Sequence, residues 1–494
     1  MQLTLPLPEL TLPADGTYPP PPASRIYCNR SLRLDHIEMV GFDMDYTLAV
    51  YNQAEIDRLS IEATARKLVD RGYPEQLLHM RYRTDFPIRG LLIDRKLGNV
   101  LKMDRYRYVK RAYHGMRELS RDERRQLYHR RRLRPGSTRY HWVDTLYALS
   151  EVSVYAAAVE TLDEAHQKVD YDQLFADVRD CIDIAHQDGS ILDHVMKDLP
   201  RYVWRDPALG PTLHNLRSSG KRLFLLTNSQ PEYTDRMMAY LFGDQMPEYP
   251  SWRNYFDIVI TASKKPSFFT KQEPFEEVLE DGLRPARTFE RGKMYVGGNV
   301  VDFEKATGVG GDAVLYVGDH IYGDALRVKK ESAWRTAMIL QEMNEELAAL
   351  QTTDGDLQRM DTLEDTRDRL HDELREHQQR LKVVQRQLDG QNDAEDGPPS
   401  PDLEVAKTLH RRAIDRLRVR LKAVTTEHDE LEDRVDAAFH PFWGSLFKAG
   451  PEVSSFGDQV EEYACLYTTK VSNFLRYSPV HFFRSPRDRM PHEL

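Results

Sequence analysis

The octapeptide Gly41-Phe42-Asp43-Met44-Asp45-Tyr46-Thr47-Leu48 follows directly on the apolar residues Met39 and Val40. From about residue 36 to residue 48 the sequence predicts a buried strand that ends in a loop carrying both aspartates. A carboxylate at the end of a buried strand is costly unless a charged partner compensates for its lost hydration. Two such carboxylates in one loop indicate a hard cation, covalent chemistry, or both.

Three further apolar segments each end in polar residues. They are Arg222–Leu226 before Thr227-Asn228-Ser229-Gln230, Ile258–Ile260 before Ser263-Lys264-Lys265-Pro266, and Ala313–Val317 before the run from Gly318 to Asp324. Short apolar strands that alternate with helices, such as the helix predicted over 213–220, indicate a parallel sheet covered by helices on both faces. Ligands bind at the carboxyl ends of such strands, so the four polar segments should meet at one edge.

Composition excludes several classes of protein. The 494 residues are 40% hydrophobic and 30% charged, and the formal net charge of −10 argues against a general nucleic-acid-binding protein. Three widely separated cysteines without CxxC spacing indicate a reducing compartment and argue against a thiolate zinc site. No apolar run approaches the roughly 18–20 residues of a membrane span, and the proline-rich N-terminus lacks the pattern of a signal peptide. We therefore expect a soluble, cytoplasmic protein with neither a membrane nor a nucleic acid as partner.

The spacing of the motifs predicts several domains. We expect a flexible N-terminal arm over 1–24 and a catalytic core built from 25–51 and 200–341. The residues between, 52–199, are too many for a crossover connection and should fold by themselves as a cap that recognises the substrate. Runs of arginine and tyrosine in this segment fit a solvated face, or a contact surface for polyanions or another subunit. Residues 439–494 should pack on the core or at a subunit interface.

Residues 342–438 have a different composition, rich in Glu, Arg, Gln and Leu with heptad periodicity. The seam positions are Leu370, Leu374, His377, Leu381, Val384, Leu388, Ile414, Leu417, Leu421, Val424, His428, Leu431, Val435 and Ala438. A break rich in glycine and proline between Asp389 and Pro401 favours two helices folded back as an antiparallel coiled-coil hairpin, with an intermolecular coiled coil as the alternative. We interpret His377 and His428 as polar residues tolerated at the seam and not as metal ligands.

The first motif offers the groups needed for phosphoryl transfer. We assign Asp43 as the nucleophile, because a carboxylate can attack a phosphoryl group and form an aspartyl-phosphate. Its negative charge repels a phosphate dianion, so we expect Mg²⁺ bound by Asp43, the main-chain carbonyl of Asp45, and Asp319. Asp45 is the predicted general acid and base, which protonates the leaving alkoxide and then deprotonates the attacking water.

The later motifs would stabilise the phosphoryl group. Candidate donors to its oxygens are the Thr227 hydroxyl and the backbone N–H groups of Asn228 and Ser229. Lys265 would place a positive charge beside the phosphate and Asp43, although strand alternation alone does not distinguish it from Lys264. Asp324 would hold either a metal-bound water or this lysine.

Taken together, the motifs resemble those of the haloacid dehalogenase superfamily. More narrowly, Phe42–Tyr51 and Gly318–Asp324 are similar to the cytosolic purine 5′-nucleotidases that prefer IMP and GMP. Further similar stretches are Asn29–Leu32, Phe86-Pro87, Gly98-Asn99, Tyr240–Phe242, Lys265-Pro266 and Met490–Glu493. The resemblance implies a Rossmann-like parallel-sheet α/β core with an inserted cap. It also implies Mg²⁺-dependent hydrolysis of purine nucleoside 5′-monophosphates, phosphotransfer to nucleosides, and the roles given above to Asp43, Asp45, Thr227, Lys265 and Asp319.

The same resemblance implies a base pocket, an effector site and self-association. Residues that match the base contacts are Arg179, Asp183, His186 and Tyr147, with Gln187 where an aromatic residue is frequent. Residues that match a site for nucleotide effectors are Arg134, Tyr322 and Lys330, with Asp144 in place of an asparagine. The expected assembly is a homodimer or homotetramer.

Two other functions compete with this interpretation. One is a phosphatase of the same superfamily that acts on another phosphomonoester, such as a sugar phosphate. The other is a coiled-coil scaffold with a vestigial core. The complete set of carboxylates, threonine and lysine argues against loss of activity.

Overall fold

The computed structural model describes residues 19–128, 133–392 and 401–486, apart from the side chains at 322, 323, 326, 327, 329 and 390–392. The chain divides into two compact units, residues 1–344 with 446–494 and residues 345–445, which are described separately.

The described strands are short and most belong to two sheets of the first unit. Their bounds are β1 Tyr27–Cys28, β2 Leu32–Arg33, β3 Met39–Phe42, β4 Val50–Tyr51, β5 Leu91–Asp94, β6 Asn99–Met103, β7 Val109–His114, β8 Arg117–Glu118, β9 Tyr140–Val143, β10 Val203–Trp204, β11 Arg222–Leu226, β12 Ile258–Thr261, β13 Phe275–Leu279, β14 Gly282–Ala286, β15 Tyr295–Gly297, β16 Val314–Gly318, β17 Arg335–Ile339, β18 Lys448–Ala449, β19 Glu452–Val453, β20 Leu466–Thr468 and β21 Phe482–Phe483.

The described helices differ widely in length. The α-helices are α1 Gln53–Asp70, α2 Arg121–Tyr128, α3 Leu149–Glu164, α4 Tyr171–Gln187, α5 Leu192–Lys197, α6 Leu199–Tyr202, α7 Leu209–Ser218, α8 Pro231–Phe242, α9 Ser267–Thr270, α10 Val300–Thr307, α11 Arg327–Glu331, α12 Met343–Asn392, α13 Pro401–Phe439 and α14 Ser455–Tyr463. Shorter 3₁₀ turns are Pro22–Ser24, Leu34–His36, Glu75–His79, Trp252–Tyr255, Gly311–Ala313 and Val471–Arg476, and Ile321–Leu326 forms a π-helical turn.

A ten-stranded sheet forms the centre of the first unit, in the order β1-β20-β17-β16-β3-β11-β12-β15-β13-β14. The strands from β20 to β15 run parallel, whereas β1 at one edge and the hairpin β13-β14 at the other are antiparallel. The first predicted strand, β3, lies between β16 and β11, with Phe42 opposite Val317 and Leu225. The prediction of an α/β protein with a mostly parallel sheet is confirmed.

The four predicted strands are present with small differences in length. β11 has the predicted bounds, β12 extends one residue further than predicted, and β16 begins and ends one residue later than predicted. β3 ends at Phe42 because the chain then turns, with the N–H groups of Thr47, Leu48 and Ala49 all donating to the carbonyl of Met44. The predicted helix over 213–220 is α7, which begins earlier, at Leu209, and ends at Ser218.

An aromatic cluster joins the strands that carry the motifs. Phe224 of β11 packs on Phe303, Tyr316 and Trp334, with ring centroids 4.8, 6.3 and 5.7 Å away. The same ring fills the space above Gly41 of β3, where a Cβ atom would lie 2.1 Å from it. Glycine at this position therefore lets β3 and β11 pack together through one large side chain.

Residues 52–199 contain an antiparallel sheet of five strands, in the order β8-β7-β6-β5-β9, and a group of mutually packed helices, α1, α3 and α4. The two ends of this insertion are tied together, because β4 before it pairs with β10 after it, Tyr51 opposite Val203. The segment thus has a sheet of its own, as its length suggested. Its action as a cap stays a prediction.

The second unit consists mainly of α12 and α13, so the prediction of two long helices here is confirmed. Arg359 pairs with Glu427 at 2.6 Å, and the Nδ1 atoms of His377 and His410 lie 2.9 Å apart. Residues early in α12 therefore meet residues late in α13. Predicted seam residues that are buried are Leu370, Val384, Leu388, Ile414, Leu417, His428, Leu431 and Val435, whereas Ala438 is exposed. The coiled-coil assignment and its role remain predictions.

Other predictions fall partly outside the described residues. Positions 1–18 of the predicted arm, 393–400 of the predicted break, and the closing Met490–Glu493 are among them. Of the predicted C-terminal segment, β20 joins the ten-stranded sheet and β21 pairs with β2. Among the described helices, none is both long enough and apolar enough to cross a bilayer.

Candidate active site

A cavity of about 730 Å³ opens at the carboxyl edge of the ten-stranded sheet. Its lining combines the ends of the predicted motifs with residues of the insertion: Asp43, Asp45, Tyr46, Tyr51, Ile56, Thr145, Tyr147, His186, Gln187, Ile191, Leu192, Val195, Thr227, Asn228, Ser229, Gln230, Tyr233, Asp319 and His320. Residues following β3, β11 and β16 thus meet at one edge, as the parallel order of the strands requires.

Asp43 and Lys265 form a buried ion pair at this edge of the sheet. Lys265 Nζ lies 3.0 Å from Asp43 Oδ1 and 2.8 Å from Asp324 Oδ1, and donates to the Tyr316 hydroxyl at 2.8 Å. Burial raises the pKa of the Asp43 carboxyl to about 7, against the opposing effect of the Lys265 charge. Burial alone would lower the pKa of Lys265, yet Asp324 and Asp43 raise it to about 12. The lysine is therefore a fixed cation inside a group of carboxylates.

The structure distinguishes the two adjacent lysines. The Lys265 side chain is 4% exposed, whereas that of Lys264 is 67% exposed and pairs with Glu273 at 3.1 Å. Lys264 has a φ of +58°, so the segment is not an extended strand and simple alternation does not apply to it. Only Lys265 of the pair reaches Asp43.

Three carboxylates of the site form a group suited to a cation. Oxygens of Asp43, Asp319 and Asp324 lie within 4.8 Å of one another, and all three residues are buried. Burial raises the pKa of Asp319 well above its usual value, and Arg89 only partly opposes this. Hard carboxylate oxygens brought together at the cost of desolvation fit Mg²⁺, which prefers oxygen ligands. Asp324 is already bound to Lys265, so of its two predicted partners it holds the lysine.

Arg89 supports Asp319 from the far side of the cluster. Its fully buried guanidinium donates from Nη1 to the main-chain carbonyl of Asp319 at 2.6 Å and makes two bonds to the Glu342 carboxylate at 2.6 and 2.7 Å. The guanidinium also lies over the ring of Phe456, 5.3 Å from its centroid. A planar group held on three sides fixes the position of the loop that carries Asp319.

Both oxygens of the Asp45 carboxylate accept hydrogen bonds. Tyr51 donates to Oδ1 at 2.5 Å and Ser229 donates to Oδ2 at 2.5 Å, and the Tyr233 hydroxyl lies 2.8 Å from that of Tyr51. Burial raises the pKa of Asp45, and the bonds from Ser229 and Tyr51 oppose the increase. The Ser229 side chain is thus directed at Asp45, and its backbone N–H, which was predicted to contact the phosphate, donates to the Thr227 hydroxyl at 3.1 Å.

Thr227 and Asn228 lie on the cavity wall with different partners. Thr227 is buried, and its hydroxyl oxygen accepts the N–H of Ser229 at 3.1 Å, which leaves its proton for another acceptor. The Asn228 side chain accepts from the Lys265 N–H at 2.5 Å and donates to the Lys265 carbonyl at 3.0 Å. Asn228 therefore ties the segment after β11 to the segment carrying the lysine.

The predicted base contacts lie in two places. Tyr147 and His186 line the cavity with ring centroids 4.5 Å apart, and burial lowers the pKa of His186. Arg179 and Asp183 are exposed and do not line it, and Arg179 lies 3.5 Å from Glu151. The structure therefore brings an aromatic pair to the wall of the cavity without the two charged residues.

The residues predicted to bind effectors are not joined by direct contacts. Arg134 and Lys330 are exposed, Asp144 is half-buried, and the side chain of Tyr322 lies outside the described residues. Within the described part of the chain, no hydrogen bond or ion pair links Arg134, Asp144 and Lys330 side chains to one another.

Sequence reasoning missed several residues around the site. Arg89, Glu342, Tyr51, Tyr233 and Tyr316 were given no role, although Tyr51 closes the first extended motif. Its position at the end of that motif was a usable signal. The sequence around Arg89 contained no such signal, because the Glu342 carboxylate that it binds is 253 residues away in the chain.

Comparisons with known proteins agree with the motifs. The chain is 27% identical over 478 residues to a 5′-nucleotidase domain-containing protein of Dictyostelium discoideum, covering 95% of this chain and 74% of that protein. It is 29% identical over 487 residues to the human 5′-nucleotidase domain-containing protein 2, covering 95% of this chain and 85% of that protein. Among solved structures, L-2-haloacid dehalogenase from Xanthobacter autotrophicus matches 63% of this chain and 83% of its own at 13% identity, but a TM-score of 0.22 is too low to argue from. A family model described as the 5′ nucleotidase family matches residues 26–494, and the chain belongs to this family of hydrolases.

Proposed function

We propose that this protein hydrolyses purine nucleoside 5′-monophosphates such as IMP and GMP, in a Mg²⁺-dependent reaction through an aspartyl-phosphate on Asp43. The observation that carries the proposal is the cavity itself. Asp43, Asp45 and Asp319 line it together with the aromatic pair Tyr147 and His186, so groups suited to a phosphate and to an aromatic base share one cavity. A volume of about 730 Å³ is within the range for a small-molecule site.

Asp43 is the proposed nucleophile. Its Oδ1 accepts the Met44 N–H at 2.8 Å and faces Lys265, and no hydrogen bond from the described residues reaches Oδ2. We assign the attack on phosphorus to Oδ2. The P–O5′ bond breaks, its electron pair stays on O5′, and Asp45 donates a proton to O5′ to release the nucleoside.

The second step restores Asp43. Asp45, now a carboxylate, takes a proton from a water molecule whose oxygen attacks phosphorus. The bond between phosphorus and the Asp43 oxygen breaks, and inorganic phosphate leaves. A nucleoside hydroxyl in place of water gives phosphotransfer by the same path.

The remaining residues stabilise charge on the phosphoryl group. Asp43, the Asp45 carbonyl and Asp319 would hold Mg²⁺, which when bound polarises the phosphoryl oxygens and offsets their repulsion by Asp43. Lys265 adds a fixed positive charge, and the Thr227 hydroxyl offers a proton to a phosphoryl oxygen. Arg89 keeps the Asp319 loop in place.

Purine preference is proposed from the aromatic pair that lines the same cavity. The aromatic rings of Tyr147 and His186 offer flat surfaces for stacking on a base. Apolar side chains of Ile191, Leu192 and Val195 complete the wall. Hydrogen-bonding selectivity would then come from neutral groups such as Thr145 and Gln187, which line the same region.

The test is phosphate release from a panel of nucleoside monophosphates and sugar phosphates, with and without Mg²⁺ and adenine nucleotides. IMP and GMP should be the best substrates, and Asp43→Asn should abolish turnover while circular dichroism stays unchanged. Turnover retained by Asp43→Asn would refute the nucleophile. Fast hydrolysis of sugar phosphates with poor hydrolysis of IMP and GMP would refute the purine preference.

Regulation, assembly and location are separate proposals. The added adenine nucleotides test activation, and light scattering tests the expected dimer or tetramer. Cys28, Cys181 and Cys465 are all free thiols, which supports a reducing, cytoplasmic location.

A further inference from the structure

A chain of hydrogen bonds links Tyr233, Tyr51 and Asp45 on the cavity wall. We propose that Tyr51, supported by Tyr233, is a positioning residue that fixes the orientation of the Asp45 carboxyl for proton transfer. This inference rests on the acid–base role proposed for Asp45. Its basis is geometric, since both phenols and the carboxyl line the same cavity and lie in direct contact.

The direction of the chain follows from counting protons. Each phenol has a single proton to donate. Tyr51 gives its proton to Asp45 Oδ1, so the 2.8 Å contact between the two hydroxyls must be a bond from Tyr233 to Tyr51. A phenol that accepts one bond while donating another is a stronger donor to a carboxylate.

The hydroxyl of Tyr51 is held in place by its surroundings. Tyr51 is the last residue of β4, paired with Val203 of β10, and it is 8% exposed. Its ring packs on that of Tyr46 with centroids 4.8 Å apart. The phenol therefore approaches Asp45 from a fixed strand, on the side where the insertion leaves the core.

Two donors together define the plane of the Asp45 carboxyl. Tyr51 holds Oδ1 and Ser229 holds Oδ2, so rotation of the carboxyl about its Cβ–Cγ bond would break both contacts. Each oxygen keeps a second lone pair, which can carry the proton donated to O5′ or accept the proton of the attacking water. Proton transfer requires hydrogen-bond reach to the reacting oxygen, so a carboxyl free to rotate would be a poorer acid and a poorer base.

The predicted effect depends on the leaving group. A nucleoside alkoxide must be protonated as it leaves, whereas p-nitrophenolate is stable as an anion near neutral pH. A displaced Asp45 should therefore slow the first step for a nucleotide but not for p-nitrophenyl phosphate. The second step, in which Asp45 deprotonates water, should be slow for both.

The experiment compares Tyr51→Phe with the parent protein on IMP, or on the best nucleotide of the panel, and on p-nitrophenyl phosphate. We expect kcat for the nucleotide to fall about 10- to 100-fold with KM changed less than about threefold. With p-nitrophenyl phosphate, a rapid release of about one equivalent of p-nitrophenolate should precede slow turnover. Tyr233→Phe should act in the same direction with a smaller loss.

Two variants serve as references. Tyr73→Phe removes a matched phenol–carboxylate bond, from Tyr73 to Asp177 at 2.8 Å, away from the cavity, and should leave both reactions unchanged. Asp45→Asn should show the leaving-group dependence in its strongest form. The inference alone would be overturned if Tyr51→Phe lost activity equally on both substrates and showed no burst, while Asp45→Asn did show a burst. No burst in Asp45→Asn, or no turnover by the parent, would instead overturn the proposed function.

Discussion

Lys265 is the residue on which the charge balance of the site depends. It is almost fully buried between Asp43 and Asp324, and Arg89 is a second buried cation, close to Asp319. Removing a charge from such a pair leaves an uncompensated buried charge on its partner, which costs more than the pair itself contributes. The lysine is therefore expected to matter for both folding and catalysis.

Lys265→Gln should reduce kcat/KM for phosphate release by about 100-fold or more, because the positive charge on the phosphoryl group is lost. The matched control is the adjacent Lys264→Gln, whose side chain is 67% exposed and pairs only with Glu273 among the contacts described. It should keep near-parental activity. Equal losses in the two variants, with both folded by circular dichroism, would contradict the assignment of Lys265.

Asp57 is a second buried carboxyl, placed on α1 away from the acidic cluster. It is 1% exposed, Oδ1 accepts a bond from Gln53 at 2.9 Å, and Oδ2 has no hydrogen-bond partner among the described residues. Burial raises the pKa of Asp57 from 3.8 to about 7. The folded state thus holds this proton more tightly than the unfolded state does.

The pH dependence of stability follows from that difference. Between about pH 4 and pH 7 the folded protein binds the Asp57 proton and the unfolded chain does not, so this group's contribution to stability is lost as pH rises. Asp57→Asn keeps the shape without the charge, so its free energy of unfolding relative to that of the parent should rise by about 2–3 kcal/mol between pH 5 and pH 8. Urea unfolding at pH 5 and pH 8 measures it, and an unchanged difference between variant and parent across this range would contradict the prediction.

The local sequence indicated the site residues that belong to a recognisable motif. It did not indicate those whose partners are distant in the chain. Asp43, Asp45, Thr227 and Asp319 each follow a strand, so their convergence could be inferred from topology. Arg89 could not be found in this way, since its partner Glu342 is 253 residues away. The family resemblance placed Arg179 and Asp183 in the base pocket, whereas the structure leaves both exposed and outside the lining of the cavity.

At the scale of elements, the contact between β3 and β11 depends on one residue without a side chain. A Cβ atom on Gly41 would lie 2.1 Å from the ring of Phe224, which is itself fixed by neighbouring aromatic rings. The two strands carry Asp43 and Thr227 at their ends. A change in their spacing would therefore alter both the core and the site.

Gly41→Ala should lower the free energy of unfolding by about 1–3 kcal/mol through overpacking. The second single variant is Phe224→Leu. Its smaller side chain makes room for the new methyl group at position 41 when the two changes are combined. The double variant should therefore be more stable than the sum of the single effects predicts, by about 1 kcal/mol. Strict additivity in chemical unfolding would show that the two positions do not contact each other.

The elements of the core were easier to predict than those of the insertion. β11 is apolar and buried from Leu223 to Leu226 and is bounded by polar residues, so its limits could be predicted directly from the sequence. In β7, by contrast, Lys110, Arg111 and His114 alternate irregularly with apolar residues, because several positions are only half-buried. No period-2 pattern marks such a strand, and the sequence indicated only that this region folds separately.

For the whole molecule, all residues proposed for chemistry lie in the first unit. Among the residues of the second unit that the structure describes, 345–392 and 401–445, none belongs to the ten-stranded sheet or lines the cavity. The proposed chemistry therefore requires only the first unit.

A protein in which residues 345–445 are replaced by a flexible glycine–serine linker should keep Mg²⁺-dependent phosphate release within about threefold of the parent. Light scattering on the same protein would show whether the two long helices support self-association. Loss of turnover by a variant that still unfolds cooperatively would contradict the independence of the site.

The central place of β3 has a consequence for synthesis of the chain. β3 is finished by residue 42, but the strands on its two sides begin at residues 222 and 314. At roughly 5–20 residues per second, the ribosome needs about 10–40 s to make the nearer neighbour. During that time a short apolar segment has both hydrogen-bonding edges free, while the inserted sheet is already complete and able to fold. β3 therefore emerges early and stays without a partner on either side until β11 has been made, and a molecular chaperone bound near residue 40 would protect the nascent protein during that interval.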